Sequence, residues 1–214
     1  MTIIVTGSAG FIGYHVAKKL ILNNEKVIGV DNFNDYYDPA LKEARWNILE
    51  QNHNFDGFRI DISNINNLYN IFEKYKPKKV IHLAAQAGVR NGYNNPQIYT
   101  KSNLEGMINI LDCCAQIKID HLVYASSSAI YGDSQKIPFS ENNNIGKPLS
   151  IYASTKQSNE SMAFAFSNLY SIPTTSLRLF TVYGPWGRPD MAIFNFTASI
   201  LKNQEITLYD KLYF

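Results

Sequence analysis

Tyr152 and Lys156 stand four residues apart at the start of a stretch with helical spacing, Tyr152 to Tyr170. On a helix that spacing puts the phenol and the ammonium on one face, a turn apart. A free tyrosine ionises near pH ~10 and is protonated at neutral pH. A nearby cation favours the phenolate, and each unit of lowering is worth about 1.4 kcal/mol. Such a pair can take the proton of a substrate hydroxyl. The spacing alone discriminates little, since Tyr14 and Lys18, and Tyr75 and Lys79, repeat it. Position separates them. Tyr14 follows a glycine loop, Tyr75 precedes Pro77 at a helix end, and only Tyr152 follows the serine cluster of Ala125-Ser126-Ser127-Ser128-Ala129-Ile130-Tyr131-Gly132. Serine triplets are commonly plain turns, but hydroxyls just past a strand can hydrogen-bond a substrate hydroxyl beside Tyr152.

A second constellation is Thr6-Gly7-Ser8-Ala9-Gly10-Phe11-Ile12-Gly13. Glycines at this spacing between a strand and a helix let the backbone turn tightly, so that a pyrophosphate can sit on the helix N-terminus. A glycine triplet is weak evidence elsewhere; at the first strand-to-helix turn of an alternating pattern it predicts a dinucleotide site at Gly7, Gly10 and Gly13. Asp31 closes the next strand. A carboxylate there accepts from the adenosine ribose hydroxyls and repels a 2′-phosphate, which favours NAD over NADP. Asp61, after the third strand, is placed to accept from the adenine amino group. His82 has no companion at metal-ligand spacing and reads as structural, and no metal is expected.

These residues need a frame. Apolar, β-rich runs recur at Ile3–Val5, Lys26–Val30, Phe55–Ile60, Lys79–Leu83, His121–Ala125 and Thr174–Leu179. Helical spacing fills the gaps at Phe11–Leu22, Leu41–Gln51, Ile65–Tyr75, Leu104–Ile117 and Tyr152–Tyr170, and a further helix (Ala192–Lys202) and strand (Glu205–Tyr209) follow. The alternation predicts an α/β fold: a Rossmann-like doubly wound parallel sheet with helices on both faces. Residues 1–180 are expected to form the nucleotide-binding domain, and 181–214 the start of a substrate domain. With 45% hydrophobic and 18% charged residues and a net charge of +2, nothing points to nucleic acid or a membrane. The adjacent Cys113 and Cys114 sit in a helix, where neighbours face different ways, so a disulfide is not expected. The opening Met1-Thr2-Ile3-Ile4-Val5 lacks a basic leader, which predicts a cytoplasmic setting.

The glycine loop, the serine-rich strand end and Tyr152-x-x-x-Lys156 together resemble the extended short-chain dehydrogenase/reductases, in particular the NAD-dependent nucleotide-sugar epimerases. Three longer motifs narrow the resemblance to UDP-glucuronate 4-epimerases: Asp31-Asn32-Phe33-Asn34-Asp35-Tyr36-Tyr37-Asp38-Pro39, His82 to Arg90, and Phe180 to Met191. The resemblance implies NAD as cofactor, a UDP-sugar as substrate, and 4-epimerisation by transient oxidation, with UDP-glucose the rival substrate. It implies Ser127, Tyr152 and Lys156 as catalytic residues. For the cofactor it adds Phe11, Ile12, Asn32, Ile62, Leu83, Ala84, Ala85, Gln86 and Asn103 to the glycines, Asp31 and Asp61. For the substrate it implies Arg90, Ser127, Ser128, Thr181 and Arg188, the last suited to a carboxylate because a guanidinium forks onto it. Relatives that dehydrate or decarboxylate carry a carboxylate where Ser128 and Ala129 stand, so elimination is not expected. The family continues past this length with a substrate domain, so the chain is expected to be a truncated, catalytically impaired form. Complete members pair as homodimers through two helices; the stripe Leu104, Met107, Ile108, Leu111 and Ala115 suits either that contact or packing on the sheet.

Overall fold

A computed structural model describes residues 1–88, 95–142, 144–206 and 208. Six parallel strands form one sheet: β1 (Thr2–Thr6), β2 (Lys26–Asp31), β3 (Phe55–Arg59), β4 (Lys79–His82), β5 (His121–Ala125) and β6 (Thr174–Leu177), in the order β3-β2-β1-β4-β5-β6. The chain runs outward from β1 to β3, returns to the middle, and runs outward again. The order therefore reverses between β1 and β4, where Thr6 registers with both Val30 and His82. A reversal of this kind leaves a crevice at the carboxyl ends of the central strands.

Helices α1 (Phe11–Leu22) and α2 (Pro39–Glu50) cover one face of β1–β3. Tyr14, Ala17, Ile21, Trp46 and Leu49 pack there on Ile3, Val5, Val27 and Phe55. The opposite face carries α3 (Ile65–Tyr75), α5 (Gly106–Ile117) and α6 (Ile151–Tyr170) over Ile4, Ile28, Val80 and Leu122. Each fully buried side chain of the Leu68 or Phe72 type stabilises the fold by about 1.5–3 kcal/mol. Side-chain caps define the helix starts: Asp38 accepts from Ala40, Asn64 from Asn67, and Ser150 from Ala153. Of the stripe on α5, Met107 and Leu111 are buried against the sheet while Ile108 is exposed, so most of it is a core face.

Two expectations change. The helix expected from Leu104 begins earlier, as a short turn α4 (Pro96–Tyr99) and a π-helical segment (Thr100–Glu105) that runs into α5. Its start is set by Pro96 and not by apolar periodicity. The strand expected at Glu205–Tyr209 is not formed where it is described: Glu205 and Ile206 are irregular and exposed, with no ladder partner among the described residues. Helix α7 (Ala192–Leu201) precedes them and buries no residue. Cys113 and Cys114 are buried and unbridged. Among the described residues, no helix is long and apolar enough to cross a membrane.

Candidate active site

The glycine loop joins β1 to α1 at the reversal point. Gly7 has φ +71, and a β-carbon there would lie 2.7 Å from the Ala84 amide nitrogen. One on Gly13 would lie 1.9 Å from the Gly7 carbonyl oxygen. Only glycine lets the loop approach β4 and the helix this closely. Gly10 precedes α1 without any side-chain cap, so the amides of Phe11, Ile12 and Gly13 keep their donors for an anion. This cradle fits a dinucleotide's pyrophosphate. Asp31 lies beside it and is buried, its Oδ2 accepting from Ala9 N at 3.0 Å and its Oδ1 from Phe33 N at 2.9 Å. Burial raises its pKa, opposed by the Phe33 amide, the Lys42 charge and the Ala9 and Gly10 amides. The carboxylate thus also shapes the loop, a role its position in the sequence did not suggest. Asp61 is half-buried; Ser63 bonds its Oδ1 and Asn32 its Oδ2, and these bonds hold its pKa down against burial.

Thr6 and His82 tie the reversal together. Thr6 Oγ1 accepts from the amides of Leu83 and Ala84, both at 3.1 Å, so its proton goes to His82 Nδ1 at 2.7 Å. Burial, helped by the Lys156 charge, pushes His82 down to about 3, and the ring is neutral. It is structural, as its isolation in the sequence suggests.

Asn103 sits in the π-helical segment and is buried. Its Oδ1 accepts from Gln86 N at 2.8 Å, and its Nδ2 donates to Gln86 O at 3.1 Å and to Thr155 Oγ1 at 3.0 Å. It joins the loop after β4 to helix α6, and acts on the site by holding those two elements. Gln86 is buried with its Oε1 unpartnered, while Leu83, Ala84 and Ala85 line the same edge half-buried. Arg90 lies outside the described residues.

After β5, the ladder continues as Ser126 N to Leu177 O and Ser128 N to Leu179 O, both 2.9 Å. Ser127 is held between them and caps the short 3-10 turn Ser128–Tyr131 through Ala129 N. Tyr152 is the second residue of α6, and its ring lies edge-on to Tyr99, 6.5 Å away. Burial pushes its phenol up; the neighbouring Ser127 hydroxyl and the Arg188 charge pull it back without cancelling that rise. Lys156 is buried, its Nζ donating to Ala125 O at 2.8 Å and lying 5.9 Å from the Tyr152 ring. Burial lowers its ammonium to about 8. Of the other Tyr-x-x-x-Lys matches, Tyr14 and Lys18 do touch, at 3.4 Å, but on α1 with its packing.

Arg188 follows β6 in a turn of irregular backbone. Its Nε and Nη2 fork onto Asp190, and its guanidinium carbon is 5.5 Å from the Tyr36 ring centroid. Burial works to lower its pKa, and the Asp190 bonds and charge outweigh it. The fork expected for a substrate therefore has an internal carboxylate. Thr181 lies on the same segment and is exposed, and Ser128 is half-buried. Arg45 went unread: charged residues in helices usually face solvent, and this one is buried in α2 and donates to Ala9, Tyr37 and Trp186. No sequence signal separates it from a surface arginine.

The Tyr152 and Lys156 side chains, the uncapped start of α1 and the Asp31 and Asp61 carboxylates thus gather at the carboxyl ends of the strands. The chain is 51% identical to Protein CapI of Staphylococcus aureus over 210 residues, which is 98% of this chain and 63% of that protein. It is 46% identical to UDP-glucuronate 4-epimerase 4 of Arabidopsis thaliana over 213 residues, 98% of this chain and 48% of that one. The fold superposes on the UDP-glucuronic acid 4-epimerase of Bacillus cereus, solved with UDP-glucuronic acid and NAD, with a TM-score of 0.92 and 35% identity; 99% of this chain matches 66% of that one. The chain therefore spans about two thirds or less of the length of these relatives. Residues 3–213 match the model of one family, and with the site laid out as above the conclusion is direct: the chain belongs to the NAD dependent epimerase/dehydratase family.

Proposed function

We propose that this chain carries the cofactor site and the catalytic residues for NAD-dependent 4-epimerisation of a UDP-sugar, with UDP-glucuronate converted to UDP-galacturonate. NAD, when bound, would supply a ring that accepts a hydride from the sugar's C4 and returns it to the opposite face of the resulting ketone, which inverts that carbon. The uncapped N-terminus of α1, with Gly7, Gly10 and Gly13, holds the pyrophosphate; Asp31 and Asp61 face the adenosine end, and the Asp31 charge disfavours a 2′-phosphate. Tyr152 takes the proton from the sugar's 4-hydroxyl and later returns it. Ser127 hydrogen-bonds that hydroxyl, and the buried Lys156 supplies positive charge below the phenol. Residues 1–180 form the cofactor part on this reading, and 181–214 begin the part that meets the substrate. The remaining length in relatives adds surface around the uridine diphosphate, and complete members pair as homodimers.

One observation favours the acidic sugar. The Arg188 guanidinium is near enough to lower the Tyr152 phenol; its Nε and Nη2 are bonded to Asp190, so on this reading a substrate carboxylate meets it at Nη1 or in place of Asp190. In a glucuronate the carboxylate is attached one ring carbon from the reacting one, so a cation beside the base is where that group must fall. UDP-glucose offers only a hydroxymethyl group there.

Both sugars are assayed with the NAD-loaded chain, turnover by chromatography and binding by calorimetry. Arg188→Ala should lower the specificity constant or affinity for UDP-glucuronate roughly 10- to 150-fold, the worth of one charge-assisted bond at about 1.5–3 kcal/mol. UDP-glucose should change little. Equal losses for the two sugars would leave Arg188 a structural residue and remove the case for a uronate.

A further inference from the structure

Arg45 is the most deeply buried charge near the site, with none of its surface exposed. Its Nη1 donates to Ala9 O at 3.0 Å and to Tyr37 Oη at 2.7 Å, and its Nη2 to Trp186 O at 2.6 Å. Among the described residues no carboxylate pairs with it, and its Nε has no partner. A guanidinium taken out of water without a carboxylate is unfavourable, and a core built for stability alone would carry an apolar side chain here. What the arginine does, and an apolar residue cannot, is bond two loops at once. Ala9 belongs to the glycine loop. Trp186 belongs to the turn that delivers Arg188.

That turn is itself strained. Trp186 has φ +64, a left-handed backbone that disfavours a bulky side chain and persists only where the surroundings impose it. Arg45 holds its carbonyl, its indole lies 6.0 Å from the Tyr14 ring, and the His15 ring bonds Pro185 O at 2.9 Å. Two residues further on, Arg188 lies against Tyr36, whose hydroxyl donates to Asp190 at 3.2 Å.

We propose that Arg45 is a positioning residue that couples the dinucleotide loop to Arg188. A cofactor settling on the glycine loop fixes Ala9, Ala9 fixes the guanidinium of Arg45, and Arg45 fixes the Trp186 turn that aims Arg188. By linkage each ligand then raises the affinity for the other by one common factor. The proposal rests on the reading of Arg188 as the carboxylate's partner.

The test is amide hydrogen exchange of the 214-residue chain, read by mass spectrometry, beside calorimetry of NAD with and without UDP-glucuronate. In the unaltered chain NAD should slow exchange at residues 184–190 as well as in the glycine loop. UDP-glucuronate should tighten NAD binding at least about fivefold. Arg45→Met, close in length and apolar, should speed exchange in both loops without ligand and abolish both responses. Arg45→Lys should do the same, because one ammonium cannot reach Ala9 and Trp186 together. If the Arg45 variants do not fold, the unaltered chain decides: NAD must slow exchange at 184–190, and Trp186→Gly, which keeps the carbonyl that Arg45 holds and suits the left-handed backbone, should retain that response. A folded Arg45→Met that keeps slow exchange in both loops, or an unaltered chain in which NAD slows exchange in the glycine loop but not at 184–190, overturns the proposal. If the unaltered chain binds NAD but not UDP-glucuronate, the uronate reading fails by itself, and the exchange measurements still judge Arg45.

Discussion

At the scale of single residues, the site is a set of groups whose ionisation is governed by burial. Tyr152 is pushed up and Lys156 down, so neither is in its reactive form without help from its neighbours. Tyr152→Phe keeps the ring and its edge contact with Tyr99 and removes the hydroxyl to which the proposed function gives the proton transfer. Epimerisation should fall on the order of 10²–10⁴-fold while NAD affinity by calorimetry is unchanged. Turnover near that of the unaltered chain would place the base elsewhere. Lys156 also makes stability depend on pH. Its ammonium ionises near 8 in the folded chain against 10.5 when free. Between those values the unfolded chain binds a proton that the folded chain does not, so stability rises with pH across that window. Lys156→Met should therefore be the more stable form at pH ~7, by on the order of 3 kcal/mol before the lost bond to Ala125 is subtracted. Urea unfolding at several pH values checks this. The gap must close as pH rises from 8 towards 10.5, and a constant gap would mean that the lysine is not buried as a charge.

At the scale of elements, the strand ends were legible because each is marked by a residue type that strands place there: glycine after β1, Asp31 on β2, serines after β5. The segment between β4 and α5 was not. Apolar periodicity locates a helix by its buried face, and the π-helical turn at Thr100–Glu105 breaks that period while placing Asn103 between Gln86 and Thr155. The resemblance implies a cofactor role for Asn103, and its bonds also make it a brace between elements. Asn103→Leu, similar in volume, leaves the Gln86 amide and carbonyl without their partners, each worth about 1–3 kcal/mol when buried. The melting temperature should drop by roughly 4 °C or more, at about 2–4 °C per kcal/mol for a chain of this size. A smaller change would show that water replaces the amide.

At the scale of the whole molecule, the two halves of the sheet differ. Around β1 to β3, helices cover both faces, and the apolar side chains are buried. Beyond β6, which lies at the sheet edge, Phe180, Tyr183, Ile193, Phe194, Ile200 and Leu201 are all exposed, and α7 buries none of its residues. Exposed apolar surface of this extent drives association, and an open strand edge adds a template for it. The purified chain should sediment as concentration-dependent oligomers and bind a hydrophobic dye. A monodisperse monomer without dye binding would mean that these side chains are covered in solution.

The sequence by itself determined the sheet, the glycine loop and the placing of Tyr152 beside Lys156, because these depend on local rules: apolar β-rich runs alternating with helical spacing, the need for glycine in a tight turn, and one helical turn between Tyr152 and Lys156. It also sufficed to call His82 structural. Only the tertiary structure decided what the polar residues between those marks do. Asp31 braces the glycine loop through the Ala9 amide, Asn103 joins two elements, Asp190 occupies the fork of Arg188, and Arg45 ties the glycine loop to the turn 177 residues after Ala9. A polar side chain has the same sequence appearance whether it faces water or a buried carbonyl. Which one it meets is set by segments far apart in the chain, and only packing brings them together.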